Sequence, residues 1–251
     1  MEQLLFEPLL LGWLGLAALV FPLLLFVRAP YGRHNRKGWG PQINRTAGWV
    51  LMEAPSPLLM GLLFLVGSHG SSVVAAVFLA MWEVHYIHRT FIFPFRLRGG
   101  QKQMPLLIAL FAICFNLGNA YFNGRYLFSF SPDYSAAWLT DPRFVAGLLL
   151  FAGGLAINLH ADNVLLRMRR QGDGYRIPRG GLYELVSCPN YLGEVAEWCG
   201  WAVCTWSLPG LAFAVWTTAN LVPRALAHHR WYRSEFPDYP ARRRAIIPLL
   251  L

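Results

Sequence analysis

The stretch LLFEPLLLGWLGLAALVFPLLLFV, residues 4–27, decides the fold. Glu7 is its only charged residue. An apolar run of this length matches the roughly 20 residues one helix needs to cross a hydrocarbon core, whereas a buried helix of a soluble domain needs only 10 to 14. The run has no basic region before it and no small-residue cleavage site, so it reads as a retained span rather than a signal peptide. Similar runs occupy residues 47–68, 72–95, 105–122 and 144–166. A last stretch, 191–226, is too long for one crossing, and Ser207-Leu208-Pro209-Gly210 divides it in two. The whole chain is 55% hydrophobic and only 14% charged, against about 25% charged in a soluble domain. These features predict an all-α integral membrane protein, a seven-transmembrane helix bundle forming a single domain over residues 1–251.

The charges give an independent check on that count. Seven spans place alternate loops on opposite sides of the membrane. Loops 28–45, 96–102 and 167–179 and the tail from Arg224 fall on one side and hold 19 of the 22 Lys and Arg residues. The opposite side holds Arg125 and Arg143, and Arg89 lies inside a span. Basic loops stay cytoplasmic, so the N-terminus is expected outside and the C-terminus in the cytoplasm. The same asymmetry accounts for the net charge of +9 without any nucleic-acid partner. Asn44-Arg45-Thr46 is a glycosylation sequon on the expected cytoplasmic side, where it would go unused. The four cysteines form no Cys-x-x-Cys pair and read as packing residues.

Ionisable groups inside a bilayer are costly and usually functional. Here the second span carries Glu53 in Met52-Glu53-Ala54-Pro55-Ser56-Pro57, where two prolines argue for a broken helix lining protein rather than lipid. The third carries Glu83, His85, Tyr86, His88 and Arg89, the fifth Asn158, His160 and Asp162, and the sixth Glu194 and Glu197. Asn158 and Asp162 are four apart, Tyr86 and Arg89 three, and Glu194 and Glu197 three, so each pair shares a helix face. Buried ion pairs that lock helices together, such as Arg89 with Glu83, are the structural alternative. A zinc site at Glu83, His85 and His88 or at His228-His229 is weakly signalled, since no third ligand stands at a supporting spacing, and no metal is expected.

The loop 167–181 adds five arginines, including Arg169 and Arg176, four glycines, Gly172 among them, and Tyr175. Arginine matches phosphate bidentately. Glycine lets backbone approach a ligand closely. With Asp162 and Asn158 available for ribose or amide groups, the set suits a phosphorylated dinucleotide. No G-x-G-x-x-G follows a strand and no P-loop is present, so the helices and their loops must bind whatever ligand there is.

Taken in order, Leu51-Met52-Glu53-Ala54-Pro55-Ser56, His85-Tyr86-Ile87-His88-Arg89-Thr90-Phe91, Asn158-Leu159-His160-Ala161-Asp162, Tyr175-Arg176-Ile177-Pro178, Asn190-Tyr191-Leu192-Gly193-Glu194 and the tail Arg224 through Arg243 resemble the steroid 5α-reductase family. The resemblance implies a membrane-embedded, NADPH-dependent reductase that reduces the 4,5 double bond of 3-oxo-Δ4-steroids, with its cofactor site facing the cytoplasm. It implies residence in the endoplasmic reticulum membrane in a eukaryote or the inner membrane in a bacterium, and a monomer among membrane lipids. Carried over by motif, Glu53 and Tyr86 correspond to the pair that grips the steroid ketone. Asn158, Asp162, Arg169, Tyr175, Arg176, Asn190, Arg224, His228, Tyr232 and Arg243 correspond to cofactor-binding positions, and Glu194 and Trp198 to further substrate-lining residues. Ala227 replaces one histidine of the family's run, which leaves His228 and His229 both as candidates for one position. The rival readings are a related reductase of polyprenoid or acyl enones, an S-adenosylmethionine-dependent isoprenylcysteine-type methyltransferase, and a non-enzymatic sterol sensor.

Overall fold

A computed structural model describes residues 1–27, 38–97, 102–170 and 174–251. The chain is all-α apart from one short ribbon. Its helices are α1 (Glu2–Phe26), α2 (Arg45–Glu53), α3 (Pro55–Val66), α4 (Val73–Ile87), α5 (Phe93–Arg96), α6 (Leu106–Arg125), α7 (Pro142–Arg170), α8 (Pro189–Thr205) and α9 (Leu208–Glu235). Among the described residues, Glu2–Phe26, Arg45–Val66, Leu106–Phe130 and Pro142–Arg170 are long and apolar enough to cross a membrane. The 15 residues of α4 and the 17 of α8 are shorter, and α9, at 28 residues, ends in the polar sequence His228-His229-Arg230. Large apolar side chains such as Leu4, Leu19, Leu58, Leu65 and Leu149 project outward and exposed. Such continuous apolar surface is stable only against lipid or another apolar partner, so the chain is a multi-pass helical membrane protein.

The helices divide into two compact units. The first comprises residues 1–10 and 29–145. Phe6 of α1 sits edge-on to Phe122 and Phe130, with centroids 5.6 and 5.2 Å apart. Arg125 forks onto Glu2 with nitrogen–oxygen distances of 2.8 and 2.6 Å. Gln42–Asn44 and Gln103–Pro105 pair as an antiparallel ribbon, with Ile43 opposite Met104. Asn44 then caps α2, its side-chain oxygen accepting from the amides of Thr46 and Ala47 at 2.9 and 3.1 Å. The sequon asparagine thus serves as a helix cap. The helix breaks at Ala54, because Pro55 and Pro57 have no N–H for the carbonyls of Leu51 and Glu53. The third span is not one uniform helix either. A π-helical turn, His88–Ile92, separates α4 from α5, next to Pro94, which cannot donate to the turn before it.

The second unit comprises residues 11–28 and 146–251. Trp13 and Trp216 lie 4.9 Å apart, and the Trp216 indole N–H donates to the Trp13 carbonyl at 3.1 Å. Between α8 and α9 the chain turns at Trp206, in the left-handed conformation, and Ser207 caps α9 by accepting from the Gly210 amide at 3.1 Å. The break therefore falls at Trp206–Ser207, and Leu208, Pro209 and Gly210 form the first turn of α9.

Helices α7 and α8 approach backbone to backbone through two pairs of glycines, each pair seven residues apart. A methyl group at Gly147 would stand 2.5 Å from the Cys204 nitrogen, and one at Gly154 2.3 Å from the Glu197 nitrogen. At Gly193 it would stand 2.5 Å from the Asn158 nitrogen, and at Gly200 2.3 Å from the Phe151 nitrogen. Small residues at such a seam let membrane helices pack closely without any hydrophobic driving force between them. By contrast, nothing lies within 4 Å of a methyl built on Gly61 in α3. Gly154→Ala and Gly193→Ala should each destabilise the detergent-purified protein by roughly 1–3 kcal/mol, seen as a lowered thermal midpoint, while Gly61→Ala leaves it unchanged or raised.

Candidate functional site

In the first unit the helix break at Ala54 holds Glu53 at the end of α2, half-buried beside α6. Tyr86 is buried at 3% exposure, with its ring stacked on Trp82 at 5.1 Å and edge-on to His85 at 5.0 Å. The two residues are joined by one that the sequence did not single out, Asn116 of α6. Its amide nitrogen donates to the Met52 carbonyl at 2.7 Å and to Glu53 Oε2 at 3.3 Å. Its carbonyl oxygen accepts from the Tyr86 hydroxyl at 3.4 Å. A carboxyl and a phenol, 33 residues apart in sequence, are thus gathered on one buried amide. Arg89 goes elsewhere: the widened turn places its guanidinium over Trp49 and Phe93, 5.1 and 5.0 Å from their centroids.

In the second unit the glycine seam brings the start of α8 against α7. Asn158 donates to the Asn190 carbonyl at 2.9 Å, and Asn190 in turn donates to Asp162 Oδ1 at 3.3 Å. Asn158 and Asp162 are both buried. At the next residue of α8, the Tyr191 hydroxyl meets His228 Nε2 at 3.3 Å, and the Arg224 guanidinium lies over the Tyr191 ring at 5.3 Å. Asn158, Asp162 and Asn190 therefore form one hydrogen-bonded group, and Arg224 and His228 gather on the residue that follows Asn190. Arg169, Tyr175 and Arg176 are exposed, and the Tyr175 ring rests edge-on against Trp231 at 5.0 Å. Gly172, read as part of the same loop, lies outside the described residues.

The two neighbouring histidines are divided in use. His229 Nδ1 lies 2.7 Å from Ser187 Oγ, which also meets the Tyr239 hydroxyl at 2.6 Å and donates to the Arg244 carbonyl at 3.0 Å. With the Ser187 and Cys188 amides bonded to Arg244 and Ala245, this hub fastens the C-terminal segment along residues 185–188. Tyr232 stacks on Tyr239 nearly parallel, 9° apart, which joins it to the same hub. Arg243 is buried, with its guanidinium donating to the Pro178 carbonyl at 3.0 Å and reaching Glu184 Oε2 at 3.5 Å. Glu184 also accepts from the Gly180 amide at 2.7 Å. The Gly180 N–H first, then Arg243 and Arg179, hold the Glu184 carboxyl below its ordinary pKa, against the opposing effect of desolvation. Arg243 and Glu184 so pin the turn that follows Tyr175 and Arg176. Trp198 packs into an aromatic core, 4.0 Å from Phe213. Glu194 is partly exposed, while its helix neighbour Glu197 is fully buried.

Residues 102–251 match the family model described as 3-oxo-5-alpha-steroid 4-dehydrogenase. Over 99% of its length the chain is 44% identical to the steroid 5-alpha-reductase DET2 of Gossypium hirsutum, covering 98% of that protein. It is 42% identical to the 3-oxo-5-alpha-steroid 4-dehydrogenase 1 of Bos taurus over its whole length and 98% of the bovine protein. Against the Homo sapiens protein of the same description it is 45% identical over 88% of the chain and 85% of the relative. The chain belongs to the steroid 5-alpha-reductase family. It is an oxidoreductase homologous to the 3-oxo-5-alpha-steroid 4-dehydrogenases.

In this steroid 5-alpha-reductase homologue, Asn116, Ser187, Glu184 and the glycine seam escaped the sequence reading. The paired seven-residue glycine spacing, 147/154 and 193/200, was a usable signal. A lone asparagine in an apolar helix was not. Glu184→Ala should release the turn at Gly180 and speed trypsin cleavage after Arg179 by about 5-fold, measured by limited proteolysis against the wild type in the same detergent.

Proposed function

We propose that this protein reduces the 4,5 double bond of 3-oxo-Δ4-steroids to the 5α-reduced 3-oxosteroids, with NADPH as reductant. The observation that carries the reading is the gathering of Glu53 and Tyr86 on one buried amide, in a chain similar to 3-oxo-5-alpha-steroid 4-dehydrogenases over nearly its whole length.

The second unit's donor set fits the reductant. Arg169 and Arg176 offer exposed guanidiniums to phosphates, Tyr175 offers an open ring face, and Asn158, Asp162 and Asn190 offer amide and carboxylate groups to ribose or carboxamide. Arg224 and His228 continue that polar cluster. Tyr232 and Arg243 act through the backbone they hold, as neighbours of the Ser187 hub and the 178–184 turn. When bound, NADPH supplies the hydride that adds to the steroid β-carbon, C5, and becomes NADP+. The enone π electrons move toward the ketone oxygen, and a proton from the medium joins C4.

The protein's part is to stabilise the charge that develops on that oxygen. Tyr86 donates its phenol O–H to it, and Glu53, as the protonated acid, is the second donor. In a site that excludes water such donors act strongly. Glu194 and Trp198 are proposed to line the steroid side of the site. The basic loops place the cofactor site on the cytoplasmic face, with the N-terminus outside. The substrate is a hydrophobic steroid entering from membrane lipid, and the working unit is one chain forming a single functional domain.

Detergent-purified protein with NADPH and progesterone should give the 5α-dihydro product, identified by mass and stereochemistry. Glu53→Gln and Tyr86→Phe should each lower kcat by about 10²- to 10³-fold, the cost of one lost oxyanion donor, while NADPH still binds. NADPH binding without steroid reduction by the wild type would move the substrate to polyprenoid or acyl enones. No NADPH binding would sink the reductase reading.

A further inference from the structure

We propose that Asn116 is the positioning residue of the ketone-binding pair, setting the Glu53 carboxyl and the Tyr86 hydroxyl as one hydrogen-bonded unit. The inference rests on the functional reading above and adds to it a residue and a proton arrangement.

The geometry fixes the orientation of the amide. The group 2.7 Å from the Met52 carbonyl must be the nitrogen, because a carbonyl oxygen only accepts. The second N–H of that nitrogen points to Glu53 Oε2 at 3.3 Å. The opposite end, Oδ1, is therefore the acceptor for the Tyr86 O–H at 3.4 Å. Two consequences follow. Glu53 Oε2 is used as an acceptor, which is compatible with an acid proton on Oε1. The Tyr86 O–H is aligned by a bond at the long end of the hydrogen-bond range, one that a ketone oxygen can replace without a large penalty. Asn116 itself is 4% exposed. The site also explains why an amide is needed. Only an amide offers donors for the Met52 carbonyl and Glu53 together with an acceptor for Tyr86, beside the break that Pro55 and Pro57 impose. One side chain thus anchors the broken helix end and both ketone donors.

The test uses full-length protein in detergent. Asn116→Leu removes all three hydrogen bonds at similar volume. Asn116→Ser, less disruptive to folding, keeps a short donor but cannot span Glu53 and Tyr86. NADPH binding serves as the folding control for both. Both variants should lose about 10- to 100-fold in kcat with a much smaller change in steroid KM. The double variant Asn116→Leu with Tyr86→Phe should lose less than the product of the two single losses, since only Glu53 is then left for Asn116 to position. A second readout needs no turnover: with NADP+ present, the C3 carbonyl stretch of [3-¹³C]progesterone should fall to lower frequency on the wild type, and most of that shift should vanish in Asn116→Leu.

Multiplying losses in the double variant, or an unchanged carbonyl shift in a variant that still binds NADPH, would overturn the positioning role and leave the reductase reading standing. A wild type that binds NADPH but reduces no 3-oxo-Δ4-steroid would overturn both.

Discussion

Inside a hydrocarbon core no water is available to a backbone carbonyl, an amide or a carboxyl, so every polar group there must find its partner in the protein. The rest of this structure follows from that constraint. Beside the break that Pro55 and Pro57 impose at the end of α2, an asparagine from α6 donates to the Met52 carbonyl. Where α7 carries Asn158 and Asp162 in an apolar run, the start of α8 meets them with Asn190. Polar groups placed for chemistry are also groups that hold helices together, and at Asn116, Asn158 and Asn190 neutral amides take both tasks.

Each unit uses the constraint differently. In the first, a single amide gathers an acid from α2 and a phenol from α4. In the second, close packing comes first. Four glycines let α7 and α8 touch backbone to backbone, and the polar cluster forms at the end of that seam. The C-terminal segment is then tied down by Ser187, Tyr239 and Arg243, all outside the apolar runs, where charge and burial can be balanced by loop backbone.

Much of this was legible in the sequence. Hydropathy located the spans, the prolines located the break beside Glu53, and Ser207–Gly210 located the turn between α8 and α9. The family motifs named Glu53, Tyr86 and Asn158 in advance. The π-helical turn at His88–Ile92 was not legible, because a one-residue widening of a helix leaves hydropathy unchanged. Asn116 was not legible either, because a neutral amide in an apolar helix carries no charge signal. Arg243 and Tyr232, read as cofactor-binding positions, also have neighbours in the fold that the sequence did not announce, the 178–184 turn and the Ser187 hub. Those contacts depend on which loop returns to which helix, and local sequence does not encode that.

The most direct measurement is an isotope transfer. NADPH carrying deuterium at both C4 positions of its nicotinamide is turned over with progesterone in ordinary water, and the product is read by mass spectrometry and deuterium NMR. The account predicts one deuterium per steroid, at C5 on the α face, with ordinary hydrogen at C4. Deuterium at C4, a 5β product, or a reduced product with no label would contradict it.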